Sequence, residues 1–358
     1  MTSLVHEGAG FAYRLQQQLL VTVCGMTQRL ARRALLDERE AFSAGEFHSL
    51  RRRHQDLLRD DLANVEAGVY PRALLFGLPW QRYVRMLPRL ARDVPNMMSR
   101  KKRGAWKELP DTVDVQQYPP YYRRTFHWQT DGYLSRHSAE LYDVSVEFLF
   151  GGMGDVMRRQ CIVPLAALQT EQSRPLRILD IGCGTGRTLA QIRQALPTAQ
   201  LTGLDLSPFY VEAARRESGP SAPFEVVCGN AESLGFADAS FDAVVSVFLF
   251  HELPKNARRR VWSEALRVLR PGGRLVIIDS VQRSDSEEIA YFVDRFSRDM
   301  HEPFYREYIG DDLAQGLSEQ GFGVESVAQA YLAKVVTARK PVEVATAQPH
   351  AGSGFGSA

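Results

Sequence analysis

Apolar positions change their rhythm twice along this chain. From Gly10 to about Asp93 they recur at helical spacing between charged residues, which predicts a helical N-terminal region. The pattern lapses over Leu109–Pro120, where Pro110 and the Pro119-Pro120 pair disfavour helix. An aromatic block, Tyr121–Tyr133, comes next. Helical spacing then returns over Ser135–Phe150 and, past Gly151-Gly152, continues through Leu168. From Leu176 to about Lys340, short apolar runs alternate with amphipathic stretches, as in a mostly parallel sheet with helices on both faces. Arg177–Ile181, Gln200–Asp205, Phe224–Cys228, Phe241–Val247 and Arg274–Asp279 read as successive strands. The pattern divides the chain into a helical region 1–120, a helical lid segment 121–170, an α/β domain 171–340 and a tail 341–358 too poor in large apolar residues to order.

Composition narrows the partners. With 44% hydrophobic residues, 24% charged and a formal net charge of +2, the chain gives no reason to expect a specific nucleic-acid partner. The four cysteines, Cys24, Cys161, Cys183 and Cys228, show no paired spacing, which argues against a disulfide framework and fits a cytoplasmic location. The N-terminus lacks the features of a secretory signal. The longest apolar runs, Leu19–Met26 and Ala73–Trp80, fall well short of the ~20 residues that span a bilayer.

One stretch complicates the picture. Pro71–Lys107 carries Arg72, Arg82, Arg85, Arg89, Arg92, Arg100, Lys101, Lys102, Arg103 and Lys107 against a single acid, Asp93. Two readings are open: solvated faces of packing helices, or peripheral contact of 71–107 with an anionic membrane surface or RNA. Pro79, Pro88 and Pro95 are expected to break any long amphipathic helix there.

The strongest chemical signal is Arg177-Ile178-Leu179-Asp180-Ile181-Gly182-Cys183-Gly184-Thr185-Gly186, a buried strand running into a glycine-rich turn and then a helix from Arg187. Glycines there allow left-handed backbone and close ligand approach, and the helix start offers free N–H donors. Roughly 20 residues on, the second strand ends in Asp205, the position of a ribose-binding acid in a βαβ nucleotide fold. The third strand leads to Gly229-Asn230-Ala231, and the fourth to Phe248-Leu249-Phe250-His251. A helix then ends at Leu269-Arg270-Pro271-Gly272-Gly273 before strand five.

This ordered set resembles the class I S-adenosylmethionine-dependent methyltransferases, in particular the ubiquinone/menaquinone-biosynthesis type, over about residues 175–340. The resemblance implies a doubly wound, seven-stranded, mostly parallel Rossmann-like sheet, S-adenosyl-L-methionine as cofactor, and methyl transfer as the activity. By it, Asp180 and the turn Gly182, Cys183, Gly184 and Gly186 would hold the methionine moiety, Asp205 and Leu206 the ribose, and Asn230-Ala231 the adenine edge, with Phe248 completing the wall. Asn230 stands where the family often has Asp; an amide can still accept or donate at that edge.

Methyl transfer mainly requires the acceptor atom to be held close and in line in a dry pocket, with a base only where the nucleophile must lose a proton. The candidates for that work are His251 after strand four and His301 and Tyr305 in the insertion after strand five. Each has a second reading, His251 as a residue packed under the cofactor and the other two as helix-capping neighbours. His127, Trp128, Tyr133 and Tyr142 are the expected substrate lid, or else core. No carboxylate cluster stands at the strand ends, so no metal is expected. The acceptor expected is a small aromatic or lipophilic molecule. The alternatives are RNA or protein methylation, or use of the bound cofactor for non-methylating chemistry. The oligomeric state is open, with a homodimer among the options.

Overall fold

A computed structural model describes residues 2–36, 43–219, 223–285 and 287–342. Its centre is a seven-stranded sheet in the order β3-β2-β1-β4-β5-β7-β6. The strands are β1 (Arg177–Ile181), β2 (Gln200–Asp205), β3 (Glu225–Cys228), β4 (Phe241–Val247), β5 (Leu269–Ser280), β6 (Gly323–Ala330) and β7 (Ala333–Arg339). β1 pairs in parallel with β2 and β4, and β4 with β5, while β7 runs antiparallel between β5 and β6. β4 is buried at every position. It is therefore apolar without alternation, as a strand covered on both faces must be.

The chain order reverses between β1 and β4, which opens a crevice at their carboxyl ends.

Six helices precede the sheet: α1 (Thr2–Leu36), α2 (Ala44–Glu66), α3 (Trp80–Arg103), α4 (Arg136–Leu149), α5 (Gly154–Arg158) and α6 (Ile162–Thr170). Within and after it come α7 (Arg187–Ala195), α8 (Pro208–Ser218), α9 (Lys255–Val268), α10 (Ala290–Asp299), α11 (Tyr305–Gly310) and α12 (Leu313–Glu319). Ser43 starts α2 with a reciprocal capping box to Glu46. α1 turns Tyr13, Gln17 and Cys24 inward, and leaves Phe11, Leu15, Leu19, Val23 and Met26 exposed.

The first helices are fastened to the α/β domain by a buried polar node. Arg159 donates to both carboxylate oxygens of Asp61, to the Tyr13 hydroxyl (2.8 Å) and to the Leu74 carbonyl (3.3 Å), while Tyr70 donates to Asp61 (2.7 Å). The hydrophobic core is continuous from Tyr13, Leu57 and Leu58 through α5 and α6 to the sheet.

Three expectations are corrected. α3 runs unbroken through Pro88 and Pro95. Seven residues apart, the two prolines share one exposed face, so water can take up the carbonyls that lose their N–H partners. Four of the ten basic side chains of 71–107 bond to other parts of the chain. Arg82 pairs with Asp143 (3.4 Å) and Glu217 (3.2 Å), Arg89 with Glu140 (2.5 Å) and Arg103 with Glu108 (2.6 Å), and Arg100 donates to the Trp128 carbonyl. Second, the front of segment 121–170 is not helical. Only short 3-10 turns form at Pro120–Tyr122 and Phe126–Trp128, because His127, Trp128 and Asp131 take left-handed backbone (φ 54°, 58° and 67°). Third, Arg270–Gly273 does not precede β5 but bulges within it, between the pairs Phe241–Leu269 and Ala243–Arg274.

No helix among the described residues is long and apolar enough to cross a membrane. The expected disorder at the C-terminus falls, from residue 343 on, outside the described residues.

Candidate active site

The turn after β1 sets the floor of the crevice. Gly182 and Cys183 both donate to the Leu204 carbonyl at the end of β2 (2.8 and 3.0 Å), and Gly186 donates to Cys183 (2.9 Å). Gly182, Gly184 and Gly186 all have positive φ (70°, 55° and 81°), which excludes most side chains on backbone grounds alone. They differ in surroundings. A Cβ on Gly186 would press on Phe224 and Ala214, whereas one on Gly184 would meet only the Tyr142 ring at 4.0 Å. Gly184 is thus the point where the cleft comes nearest to bare backbone.

A cleft opens over this turn, lined by backbone, acidic and tyrosine groups. Gly182, Gly184, Asp205, Leu206, Asn230, Ala231 and Phe248 line it on the sheet side. Tyr121, Tyr122, Tyr133, Tyr142 and Tyr210 line it as well, Tyr142 reaching the turn at Gly184. Asp205 accepts from the Gly184 and Ser207 amides (2.9 Å each), leaving lone pairs toward the cleft. Burial pushes its carboxyl up to about 6, against the pull of those amides. Asp180 lies just behind the turn, 1% exposed, and neither of its oxygens accepts a hydrogen bond from a described residue. Burial, reinforced by the charge of Asp205 and opposed by Arg158, raises it well above the ordinary carboxylate range.

Phe248 leaves β4 with φ 58° and stacks on Phe150 (5.5 Å between centroids). The 3-10 turn that follows, Phe250–Glu252, sends its two polar side chains to different places. His251 turns inward to Asp279 at the end of β5, with Nδ1 2.6 Å from Oδ1. Burial alone would lower its pKa, but Asp279 outweighs that and lifts it to about 9. Glu252 turns into the cleft, accepts from the Tyr133 hydroxyl, and lies 3.1 Å from His127 Nε2. His127 in turn stands 2.9 Å from Glu302, whose side chain is fully buried. Burial would lower the His127 pKa too; Glu302 and Glu252 override it and raise it to about 10.

A family model described as a methyltransferase domain matches residues 178–273. An O-methyltransferase of Aspergillus nomiae is 32% identical over 206 residues, covering 53% of this chain and 86% of its own length. The chain belongs to the class I S-adenosylmethionine-dependent methyltransferases. An O-methyltransferase of Penicillium expansum is 35% identical over 182 residues, 49% of this chain and 60% of that one. A ubiquinone/menaquinone biosynthesis C-methyltransferase of Methylobacterium nodulans is 33% identical over 147 residues, 40% and 56% of the respective chains. The chain thus spans less than two thirds of the length of these last two relatives.

Against this methyltransferase frame, the residues expected from sequence divide into three groups. Gly182, Gly184, Asp205, Leu206, Asn230, Ala231 and Phe248 line the cleft together with Tyr133 and Tyr142. Asp180, His127 and His251 stand one layer back, the two histidines in polar contacts and Asp180 with both oxygens unbonded. Cys183, Gly186, His301, Tyr305 and Trp128 do not line the cleft. The Cys183 side chain packs against Gly203, where an added Cβ would come within 2.8 Å of its sulfur. His301 is sandwiched by Trp106 and Trp128 (centroids 5.9 and 4.5 Å). The Tyr305 hydroxyl bonds Ser280 Oγ at 2.7 Å and its ring lies edge-on to His251.

Glu252, Glu302, Asp279 and the tyrosines Tyr121, Tyr122 and Tyr210 had no assigned role in the sequence. Glu252 adjoins His251, and Glu302 lies between His301 and Tyr305 in the insertion after β5. Glu252 and Glu302 also overturn the expectation that carboxylates do not cluster here: with His127 they bring three potential metal-ligand atoms within 4.8 Å of one another. They come from separate loops, so no spacing in the chain could announce them.

Proposed function

We propose that this protein transfers the methyl group of S-adenosylmethionine to a small molecule with a flat aromatic or lipophilic body, bound between the glycine turn and the tyrosine wall. The observation that carries this reading is the tyrosine wall itself. Five tyrosine rings line the cleft, and such surfaces take flat apolar ligands while their hydroxyls hold polar edges.

The residues present fit the cofactor. Asp180, buried with two free oxygens beside the turn, supplies the counter-charge that a methionine ammonium group needs. Asp205 keeps lone pairs for ribose hydroxyls, and Asn230-Ala231 lies at the adenine end. The bound cofactor supplies a sulfonium-activated methyl carbon. The protein's part is to hold the acceptor in line with it and to keep water out. Glu252 is the charged side chain at the acceptor end; fixed by Tyr133 and His127, it orients a hydroxyl or other polar group of the acceptor.

The test is metabolite profiling of a strain lacking this gene, grown on methyl-labelled methionine. A small aromatic or lipophilic compound should lose its labelled methyl. Loss of label from RNA or protein instead, or no change in any pool, would overturn the reading. In the purified protein, Glu252→Gln should lower kcat about 10²-fold while leaving S-adenosylhomocysteine affinity within about twofold, since only the acceptor side is touched.

A further inference from the structure

His127, Glu252 and Glu302 come from the aromatic lid, the turn after β4 and the insertion after β5, yet their side chains meet. Glu302 is 2% exposed, and neither of its oxygens accepts a hydrogen bond from a described residue. The 2.9 Å approach of His127 Nδ1 is an ion-pair contact out of line for a hydrogen bond, and that nitrogen is itself without a hydrogen-bond partner among the described residues. A buried carboxylate is normally supplied with donors, because an unpaired buried charge is strongly destabilising. Here a second carboxylate, Glu252, faces the other nitrogen of the same ring, so two acids share the one His127 imidazole.

A further donor stands close. His251 Nε2 is 4.0 Å from Glu302 Oε1, and its other ring nitrogen is fixed by Asp279. A carboxylate on one imidazole nitrogen, with the other free to point at a cation, is the usual outer support of a metal-bound histidine. His127 holds left-handed backbone to reach the same spot, a conformation that surrounding structure retains mainly where it serves a site.

We propose that His127, Glu252 and Glu302, with His251 as fourth donor, form a binding site for one divalent first-row transition-metal ion such as Zn²⁺ or Mn²⁺. Two imidazoles and two carboxylates are a mixed nitrogen–oxygen set, unlike the all-oxygen sets of Mg²⁺ and Ca²⁺. Two carboxylates also cancel the charge of one divalent ion. Ligands of an ion at ~2.1 Å are separated by about 3–3.5 Å, so binding draws His127, Glu252 and Glu302 closer together than the 4.8 Å limit within which they stand, and brings His251 in from its 4.0 Å distance to Glu302.

The full-length protein, stripped by chelator and dialysed, should bind one equivalent of Co²⁺ with a visible ligand-field band that Zn²⁺ displaces. X-ray absorption of the zinc-loaded protein should show a nitrogen–oxygen shell with imidazole scattering. Glu302→Gln and His127→Asn (asparagine tolerates left-handed backbone) should weaken Co²⁺ binding about a hundredfold or more, beyond the ~10–100-fold expected when only the supporting carboxylate is lost in Asp279→Asn. Absence of stoichiometric binding by the unmodified protein, or sulfur in the first shell, overturns the proposal whether or not the variants fold. So does unchanged affinity in variants with intact melting curves. Metal binding is read directly, so failure here leaves the proposed methyl transfer standing, and failure to find an acceptor leaves this site standing.

Discussion

At the scale of single residues, Asp205 gives the cleft a pH dependence. Its buried carboxyl keeps its proton up to about pH 6, against ~3.9 for a solvated aspartate. Only the ionised form accepts hydrogen bonds at both oxygens. The part of S-adenosylhomocysteine affinity that depends on Asp205, read by calorimetry as the ratio of the parent to Asp205→Asn, should therefore be full above pH 7 and fall, approaching tenfold per unit, well below pH 6. Asp180, Gly182, Gly184, Asp205 and Asn230 could all be read in the sequence because a strand–turn–helix unit fixes them locally: the backbone conformation of the turn and the ends of two adjacent strands leave little freedom. Glu252 could not. Its role comes from Tyr133 and His127, both more than a hundred residues earlier, and nothing local distinguishes its direction from that of His251. His301 and Tyr305 show the converse. Their residue types suit proton transfer, but two tryptophans pack on His301 and Ser280 bonds the Tyr305 hydroxyl.

At the scale of elements, α3 marks where a sound local rule was overridden. Prolines do remove helix hydrogen bonds, but a 24-residue helix with its prolines on the solvent side loses only those bonds and keeps its packing face, which includes Tyr83. The loss should still be measurable: Pro88→Ala should raise the melting temperature, with a gain of up to ~3 kcal/mol, the usual penalty of an interior helical proline. Helical periodicity made α1 to α4 readable, whereas the 3-10 turns of 120–128 carry no period to detect. The node that docks α1 and α2 makes the opposite prediction. Asp61→Ala leaves Arg159 charged and buried among Tyr13, Tyr70 and the Leu74 carbonyl. It should cost about 3–5 kcal/mol in denaturant unfolding. Because Tyr13, Asp61, Tyr70, Leu74 and Arg159 do not line the cleft, loss of stability should not be accompanied by a change in S-adenosylhomocysteine affinity in the fraction that remains folded.

At the scale of the whole molecule, the cleft lies between the sheet and a lid laid over it by the N-terminal region, so ligand and fold are thermodynamically linked. S-adenosylhomocysteine at a hundred times its Kd should stabilise the protein by ~2.7 kcal/mol, a rise in melting temperature on the order of 5 °C. Asp180→Ala should abolish that rise. The meeting of His127, Glu252 and Glu302 carries a different consequence, for modularity. The nucleotide half of the cleft is carried by one contiguous stretch and could be exchanged between relatives as a cassette. The acceptor half is divided among three stretches of chain whose charges balance only together. A chimera that imports the 118–134 lid without the 300–308 segment would leave buried carboxylates facing no cation, and the reverse exchange would leave a buried imidazolium facing too few acids. New acceptors in this lineage can be reached by substitution within the tyrosine wall, or by inheriting all three stretches at once, but not by trading one loop.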